Sequence, residues 1–230
     1  MLKEATQQLL ASGPLVVGTV HSLPSLRLAA TLKPGAVDVL EYRLDAIPER
    51  FRTLAVTVRT RKIPWILTVR HPAEGGVIPF SIEDRREAYR FFIPLVDFID
   101  IELRSLPEFE DLVEHAERAG CAVIVSSHDF KKTTPPAEIL QREKRAFAEG
   151  ADIFKLACVT EKAGDLATLL DFSERPARGL RSIMGMGRFG KASRLALAQA
   201  GSVLNYGYLH QPNAPGQWEA RELRKLISAG

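Results

Sequence analysis

Lys155 lies inside an apolar segment, Ile153-Phe-Lys-Leu-Ala157, that has the character of a buried strand. An amine held away from water loses its charge more readily than one at the surface, and a free amine can attack a ketone to form a Schiff base. The alternative for a lysine in a strand is that it extends to solvent or pairs with an acid such as Glu102. A proton carrier and anion-binding groups nearby would favour the Schiff base.

His128 follows the apolar run 122–127 and precedes Asp129. Because imidazole titrates near pH ~6.5, it can both take and give a proton under ordinary conditions. His128 is therefore a candidate general acid and base, and the alternative is a solvated histidine at the end of a strand. No pair of His, Cys or acidic residues has the spacing of zinc ligands, so the sequence predicts no metal site.

Polar residues also end the other strand-like runs, and these residues are Thr19, Glu41, Arg43, Arg70 and Glu102. Glu41 and Arg43 are two positions apart and so share one side of their strand. Charges on strands that are covered on both faces are tolerated when they are paired or bind a ligand. One or two of them could form salt bridges within the fold, but the whole set predicts a polar site.

A glycine-rich segment, Met184–Arg194, lies between a strand-like run and a helical one. Its glycines match neither the dinucleotide-binding nor the P-loop spacing, so nucleotide binding is not expected. A helix that begins beside an arginine can instead bind a carboxylate or a phosphate. Arg194 is therefore a candidate anion-binding residue.

The elements that must position these residues alternate along the chain. Short strand-like runs are predicted at Leu15–Val20, Val37–Arg43, Trp65–Arg70, Phe98–Leu103, Ala122–His128, Ile153–Val159, Leu180–Met184 and Ser202–Gly207. Helical periodicity is found at Ser81–Val96, Pro107–Ala119, Ala137–Glu149, Gly164–Arg175, Lys191–Ala200 and Gln217–Ala229. Eight strands in alternation with helices predict an α/β fold, a (β/α)8 TIM barrel, whose active site lies at the carboxyl ends of the strands.

Length and composition limit the classes of protein. A chain of 230 residues that is 46% hydrophobic can bury one sizeable core, so we expect a single domain over residues 1–230. The 31 basic and 28 acidic residues leave a net charge of +3, and no block of like charge indicates a nucleic-acid or membrane surface. Two cysteines, Cys121 and Cys158, are too few for a disulfide framework, and no apolar run is long enough to span a membrane. We therefore expect a cytoplasmic protein whose partner is a small anionic molecule.

Six strings, taken in order, resemble the type I 3-dehydroquinate dehydratases, which are Schiff-base-forming lyases of the shikimate pathway. The strings are Glu41-Tyr-Arg43-Leu-Asp45, Thr68-Val-Arg70 with Glu74-Gly-Gly76, Ser127-His128-Asp129-Phe130, Phe154-Lys155-Leu-Ala157, Met186-Gly187 with Ser193-Arg194, and Ala214-Pro-Gly-Gln217. The resemblance spans nearly the whole chain. It implies an enzyme that converts 3-dehydroquinate to 3-dehydroshikimate and water, the third step towards chorismate and the aromatic amino acids.

The resemblance also implies roles for the matching residues. Lys155 would form the imine, His128 would move the protons and Glu74 would support the histidine. The positions that would bind the substrate are Thr19, Glu41, Tyr42, Arg43, Arg70, Met186, Arg194, Asn213 and Gln217. Thr19 and Asn213 stand where the family usually has serine, and both keep a side chain that can form hydrogen bonds. The resemblance implies a homodimer that needs no cofactor or metal.

Two other functions are open. Another barrel enzyme, a Schiff-base aldolase, would share a strand lysine, but it would not account for His128 together with the Ala214–Gln217 string. A sensor module on the same barrel would bind the same intermediate without turning it over, and the presence of both Lys155 and His128 favours the enzyme. The segment Leu209–Gln217 follows the last strand-like run and is predicted to form a lid over the site.

Overall fold

The computed structural model describes residues 2–33, 35–47 and 63–229, so part of the predicted domain lies outside the described residues. Eight strands form one sheet: β1 (Leu15–Val20), β2 (Val39–Arg43), β3 (Trp65–Thr68), β4 (Phe98–Glu102), β5 (Ala122–Asp129), β6 (Ile153–Val159), β7 (Leu180–Met186) and β8 (Leu204–Tyr208). From β1 to β7 each strand pairs in parallel with the next strand along the chain, and β1 also pairs with β8. At the remaining seam between β7 and β8, Val203 N donates to Arg181 O at 2.8 Å. The sheet is therefore a nearly closed barrel, as predicted.

Helices pack around this barrel, as parallel strands that are connected through helices require, and the first of them contributes Leu10 to the apolar cluster inside the barrel. In the described part of the chain they are α1 (Glu4–Ala11), α2 (Leu23–Thr31), α3 (Ile82–Phe92), α4 (Glu110–Ala119), α5 (Pro136–Ala148), α6 (Ala163–Ser173), α7 (Gly190–Gln199) and α8 (Ala220–Ser228). Short 3-10 turns lie at Leu44–Ala46, Pro72–Glu74 and Leu106–Glu108. Among the helices of the described ranges, none is both long and apolar enough to cross a bilayer.

The alternation of side chains along each strand separates an inner core from an outer one. On β4, Ile99 and Ile101 pack outward against the helix layer, whereas Phe98 belongs to the cluster inside the barrel. Asp100 and Glu102 follow Phe98 on the inner face and are fully buried. The inner face thus changes from apolar at the amino end of the strand to charged at its carboxyl end. This change places the polar site at the top of the barrel.

Most predicted elements differ from the observed ones by a few residues at one or both ends, and two of these differences have a clear local cause. The last strand begins at Leu204 rather than Ser202, because the Ser202 hydroxyl accepts a hydrogen bond from Ile183 N at 3.0 Å and so belongs to the turn before the strand. Helix α8 begins at Ala220 rather than Gln217, because the Gln217 side chain is used by the preceding loop. Such local side-chain contacts with the backbone compete with regular structure at its ends.

Candidate active site

A cavity of about 110 Å³ opens at the carboxyl ends of the strands. The predicted site residues that line it are Thr19, Glu41, Arg43, Arg70, Glu74, His128, Lys155, Met186, Arg194, Asn213 and Gln217. The sequence analysis did not name Gly75, Phe130, Ala157, Met184, Tyr206 and Ala214 as site residues, and they also line it. Strand alternation and the barrel together bring these residues to one place although they are distributed over the whole chain.

Lys155 extends from the inner face of β6 and is only 3% exposed. Its Nζ lies 2.8 Å from Asp100 Oδ2 and 3.6 Å from Glu41 Oε1, and it sits 3.7 Å from the centroid of the Tyr206 ring. Although the sequence around Lys155 is apolar, two carboxylates and an aromatic ring surround its nitrogen. This corrects the expectation that the amine lies in apolar surroundings. The alternative pairing with Glu102 is also not found, because Glu102 instead pairs with the guanidinium groups of Arg70 and Arg85.

Asp100 is the partner of Lys155 that the sequence analysis missed. Besides Lys155, its carboxylate accepts hydrogen bonds from Arg70 Nη1 at 2.9 Å and from the Ser126 hydroxyl at 2.6 Å. Burial opposes its ionisation, but the charges of Arg70 and Lys155 hold the pKa of Asp100 well below its usual range. Asp100 therefore stays ionised and fixes the lysine nitrogen. Its position two residues before Glu102, on the same strand face, was the available signal.

His128 and Glu74 form a hydrogen-bonded pair at the cavity wall. His128 Nδ1 lies 2.9 Å from Glu74 Oε2, and the backbone N–H of His128 donates to the same oxygen at 3.0 Å. The ring of Phe130 stacks on the imidazole with 6.2 Å between centroids. When Glu74 is ionised it accepts a hydrogen bond from Nδ1–H, which leaves the lone pair of the neutral imidazole on Nε2 for a proton transfer.

Burial controls the protonation of this pair. It lowers the pKa of His128 well below its ordinary value, and the nearby charges of Arg70 and Lys155 lower it further. Burial raises the pKa of the Glu74 carboxyl to about 7, although the charge of Arg70 opposes this shift. Near neutral pH the imidazole is therefore uncharged and the carboxyl titrates. A neutral imidazole is the form that acts as a base.

Arg43 and Arg70 reach the cavity with acidic partners already in place. Arg43 binds Asp45 through two hydrogen bonds, at 2.8 and 2.7 Å. Arg70 Nη1 contacts Asp100 at 2.9 Å and Glu102 at 3.1 Å. Their charges are therefore largely balanced within the protein before any ligand arrives.

Arg194 differs, because it has no acidic partner within the described ranges. Its Nε donates to Tyr206 O at 3.0 Å, and its Nη1 donates to the backbone oxygens of Gly185, Gly190 and Gly216 at 2.8–2.9 Å. It is 1% exposed, and burial lowers its pKa to about 10, so it stays positive at neutral pH. Arg70 and Arg194 were both predicted to bind the substrate, but of the two only Arg194 brings an unbalanced positive charge to the cavity.

The loop after β8 lies against the turn between β7 and α7. Gly187 N donates to Pro215 O at 3.1 Å, and a Cβ on Gly216 would come within 2.3 Å of Gly187 O. Gly216 has a φ of 72°, so its backbone conformation also favours glycine. The Gln217 side chain closes the loop, since its Oε1 accepts from Asn213 N at 2.9 Å. The loop residues Asn213, Ala214 and Gln217 reach the cavity from this position.

Tyr42 is the one predicted substrate contact that does not line the cavity, and this corrects its expected role. Its ring packs in the outer core against Trp65, with 6.2 Å between centroids, and its hydroxyl donates to Ile47 O at 3.2 Å. Because Glu41 and Arg43 face inward, the residue between them on the strand must face outward. Thr19 does line the cavity, and its buried hydroxyl has no hydrogen-bond partner in the part of the chain that the structure describes.

A family model and curated relatives agree on one family. A family model described as type I 3-dehydroquinase matches residues 14–229. A 3-dehydroquinate dehydratase of Methanosarcina barkeri is 37% identical over 216 residues, which cover 88% of this chain and 89% of the relative. One of Klebsiella pneumoniae is 33% identical over 230 residues, covering 93% and 90%. The crystal structure of a type I 3-dehydroquinate dehydratase from Clostridium difficile, with covalently modified comenic acid, matches with a TM-score of 0.86 at 27% identity, covering 94% of this chain and 92% of that one.

Proposed function

The chain belongs to the type I 3-dehydroquinase family, and we propose that it dehydrates 3-dehydroquinate to 3-dehydroshikimate through an imine on Lys155. It is a lyase of the shikimate pathway, and its substrate is a cyclic β-hydroxy ketone that carries a carboxylate. The observation that supports the imine is that one cavity contains a buried lysine amine, a histidine held by Glu74 and the unbalanced charge of Arg194. These are the three groups that the reaction needs.

Imine formation is the first chemical step. One proton must leave the Lys155 ammonium, and His128 on the same cavity wall can take it. The amine nitrogen then bonds to the carbonyl carbon, and the carbonyl oxygen departs as water once it is protonated. The product is an iminium cation, which withdraws electrons from the neighbouring C–H bond far more strongly than the ketone does.

Elimination follows from that iminium. His128 Nε2 removes the proton next to the iminium carbon, and the C–H electrons form an enamine. The enamine expels the β-hydroxyl, which receives a proton from the His128 imidazolium and leaves as water. A further water then hydrolyses the product iminium and restores Lys155. The water released on imine formation balances the water used in hydrolysis, so the substrate loses one water in total.

The other residues of the cavity would bind and orient the substrate. Arg194 would hold the carboxylate, because a guanidinium without an acidic partner gains most from a bound anion. Glu41, which is already held by the Thr68 hydroxyl at 3.0 Å, would accept hydrogen bonds from ring hydroxyls. Thr19, Arg43, Arg70, Met186, Asn213 and Gln217 would form the remaining walls.

The family assignment does not support the two alternatives, an aldolase and a sensor. A direct test follows the absorbance of the conjugated carbon–carbon double bond that dehydration creates. Purified protein mixed with 3-dehydroquinate should produce this absorbance, and Lys155→Ala should abolish it while ligand binding stays measurable by calorimetry. A wild-type protein that binds the compound without producing the enone would instead be a sensor.

We also propose that the enzyme works in the cytoplasm as a homodimer. Cys121 and Cys158 are both buried free thiols, which suits a reducing compartment. The homodimer rests on the family resemblance alone. Light scattering of the purified protein tests it, since a particle of about the 25.5 kDa of one chain would contradict it.

A further inference from the structure

The ring of Tyr206 forms part of the surroundings of the reactive nitrogen. Tyr206 lies on the inner face of β8, is 3% exposed and lines the cavity. Lys155 Nζ stands 3.7 Å from its ring centroid, well within the ~6 Å at which a cation is attracted to an aromatic face. Because the pair is buried, water does not weaken this attraction as it would at the surface.

The contacts of Lys155 change when its nitrogen becomes part of an imine. The ammonium has three N–H donors, of which one donates to Asp100 Oδ2 at 2.8 Å, and it forms an ion pair with Glu41 Oε1 at 3.6 Å. An iminium nitrogen keeps only one N–H, so at most one of these contacts can persist as a hydrogen bond. The attraction to the Tyr206 ring needs no N–H and can therefore persist through the covalent step.

The charged groups around the Lys155 nitrogen do not replace the contact with the Tyr206 ring. The charged or titratable groups that bear on Lys155 from other parts of the barrel are Glu41, Arg70, Asp100 and His128. Arg70 balances part of the charge of Asp100, and Glu41 is needed for the substrate hydroxyls. Among the cation–π contacts within the described ranges, Lys155 is the cation that lies over the Tyr206 ring, so the ring face is available to stabilise its nitrogen.

The hydroxyl of Tyr206 is a second, separate feature. Its oxygen is buried, and it has no hydrogen-bond partner within residues 2–33, 35–47 and 63–229. Burial raises the pKa of Tyr206 well above its ordinary value, so the hydroxyl keeps its proton and can donate it. A buried hydroxyl without a partner is costly, and because Tyr206 lines the cavity, an oxygen atom of the bound ligand is the expected acceptor.

We propose that Tyr206 is a further catalytic residue, whose ring face stabilises the iminium on Lys155 and whose hydroxyl donates to an oxygen of the bound substrate. This proposal rests on the imine chemistry proposed above. The ring acts on the equilibrium between the iminium and the uncharged imine, and only the iminium is an effective electron sink. The hydroxyl acts on substrate binding.

Two variants separate the two parts. Tyr206→Phe keeps the ring and removes the hydroxyl, whereas Tyr206→Leu removes both. Phe98→Leu is the matched control, because Phe98 is a buried ring of the same inner core that does not line the cavity. Each protein is mixed with 3-dehydroquinate over a range of pH and treated with cyanoborohydride, which reduces the iminium, and the adduct on Lys155 is measured by mass spectrometry.

In Tyr206→Leu, the pH above which the adduct is no longer trapped should fall by about 1 unit, with a loss of turnover of on the order of 10-fold. Tyr206→Phe should keep the wild-type pH dependence of trapping and raise KM by ~5–10-fold. Phe98→Leu should lower the melting temperature but leave both the pH dependence and KM unchanged.

An unchanged pH dependence in a folded Tyr206→Leu protein would overturn the role of the ring, and an unchanged KM in Tyr206→Phe would overturn the role of the hydroxyl. A shift in Phe98→Leu equal to that in Tyr206→Leu would show a packing effect and would also overturn the proposal. Wild-type protein that turns over substrate but gives no adduct would contradict the imine itself, which is a different result from any of these.

Discussion

One oxygen of Glu74 holds His128 twice, since Oε2 contacts the ring Nδ1 at 2.9 Å and accepts the backbone N–H at 3.0 Å. The backbone contact fixes the position of the carboxylate, and the ring contact fixes the orientation of the imidazole. The charge state of Glu74 therefore determines which ring nitrogen carries the proton. This relationship makes the pair, and not the histidine alone, the unit that moves protons.

The pH dependence of kcat should report the Glu74–His128 pair. With the pKa of Glu74 near 7, the carboxyl takes up a proton as the pH falls through that value, and the orienting acceptor for Nδ1–H is lost. Activity should therefore decline below about pH 7. Glu74→Gln should lower kcat by at least ~10-fold and move the decline to lower pH, because an amide does not titrate. An unchanged pH dependence of kcat in Glu74→Gln would show that Glu74 does not take part in the proton transfers.

His128→Ala should keep the nucleophile and lose the proton carrier. We expect kcat to fall by ~10²–10⁴-fold, and the Lys155 adduct to form slowly and persist. His115→Ala is the control, since His115 lies on α4 away from the cavity. Steady-state kinetics and trapped adduct together test this. Near-normal kcat in His128→Ala would mean that another group is the base.

Arg194→Leu should raise KM by ~10²-fold with a smaller effect on kcat, because the variant removes the one cavity arginine without an acidic partner in the described ranges. Arg188→Leu removes an exposed arginine that precedes the same helix, and it should leave KM unchanged. Calorimetric titration with the product gives the same comparison at equilibrium. Equal affinities in the two variants would mean that the carboxylate binds elsewhere.

The loop of residues 209–217 should close more tightly over bound ligand. We expect its amide hydrogens to exchange more slowly when product is bound, because the closed loop excludes water from the iminium. Gln217→Ala should raise KM, since Gln217 both closes the loop and lines the cavity. Gln211→Ala, an exposed change in the same loop, is the control. The lid hypothesis fails if exchange of residues 209–217 is equal with and without saturating product.

Strand alternation and the barrel topology could be predicted from the sequence because they depend on local patterns. Glu41 and Arg43 were placed on one side of their strand by alternation, and both line the cavity. Tyr42 was assigned to the substrate from the family motif, although its position between two inward residues already required it to face outward. Here the residue pattern was a better guide than the resemblance.

The partners of each charge could not be predicted in the same way. Asp100 reaches Lys155 across 55 positions of the chain, and no local spacing encodes that pair. The lack of an acidic partner at Arg194 could not be predicted either, because it depends on strands that come together only in the folded barrel. The unpartnered hydroxyl of Tyr206 also appears only once all of its neighbours are in place.

The central claim is that Lys155 bonds covalently to the substrate, and the mass of the intact protein after borohydride reduction tests it most directly. Protein that is turning over 3-dehydroquinate should gain the mass of one reduced ligand, and peptide mapping should place that mass on Lys155. Lys155→Ala should gain none. An unmodified Lys155 in wild-type protein that continues to turn over substrate under the same conditions would contradict the covalent mechanism.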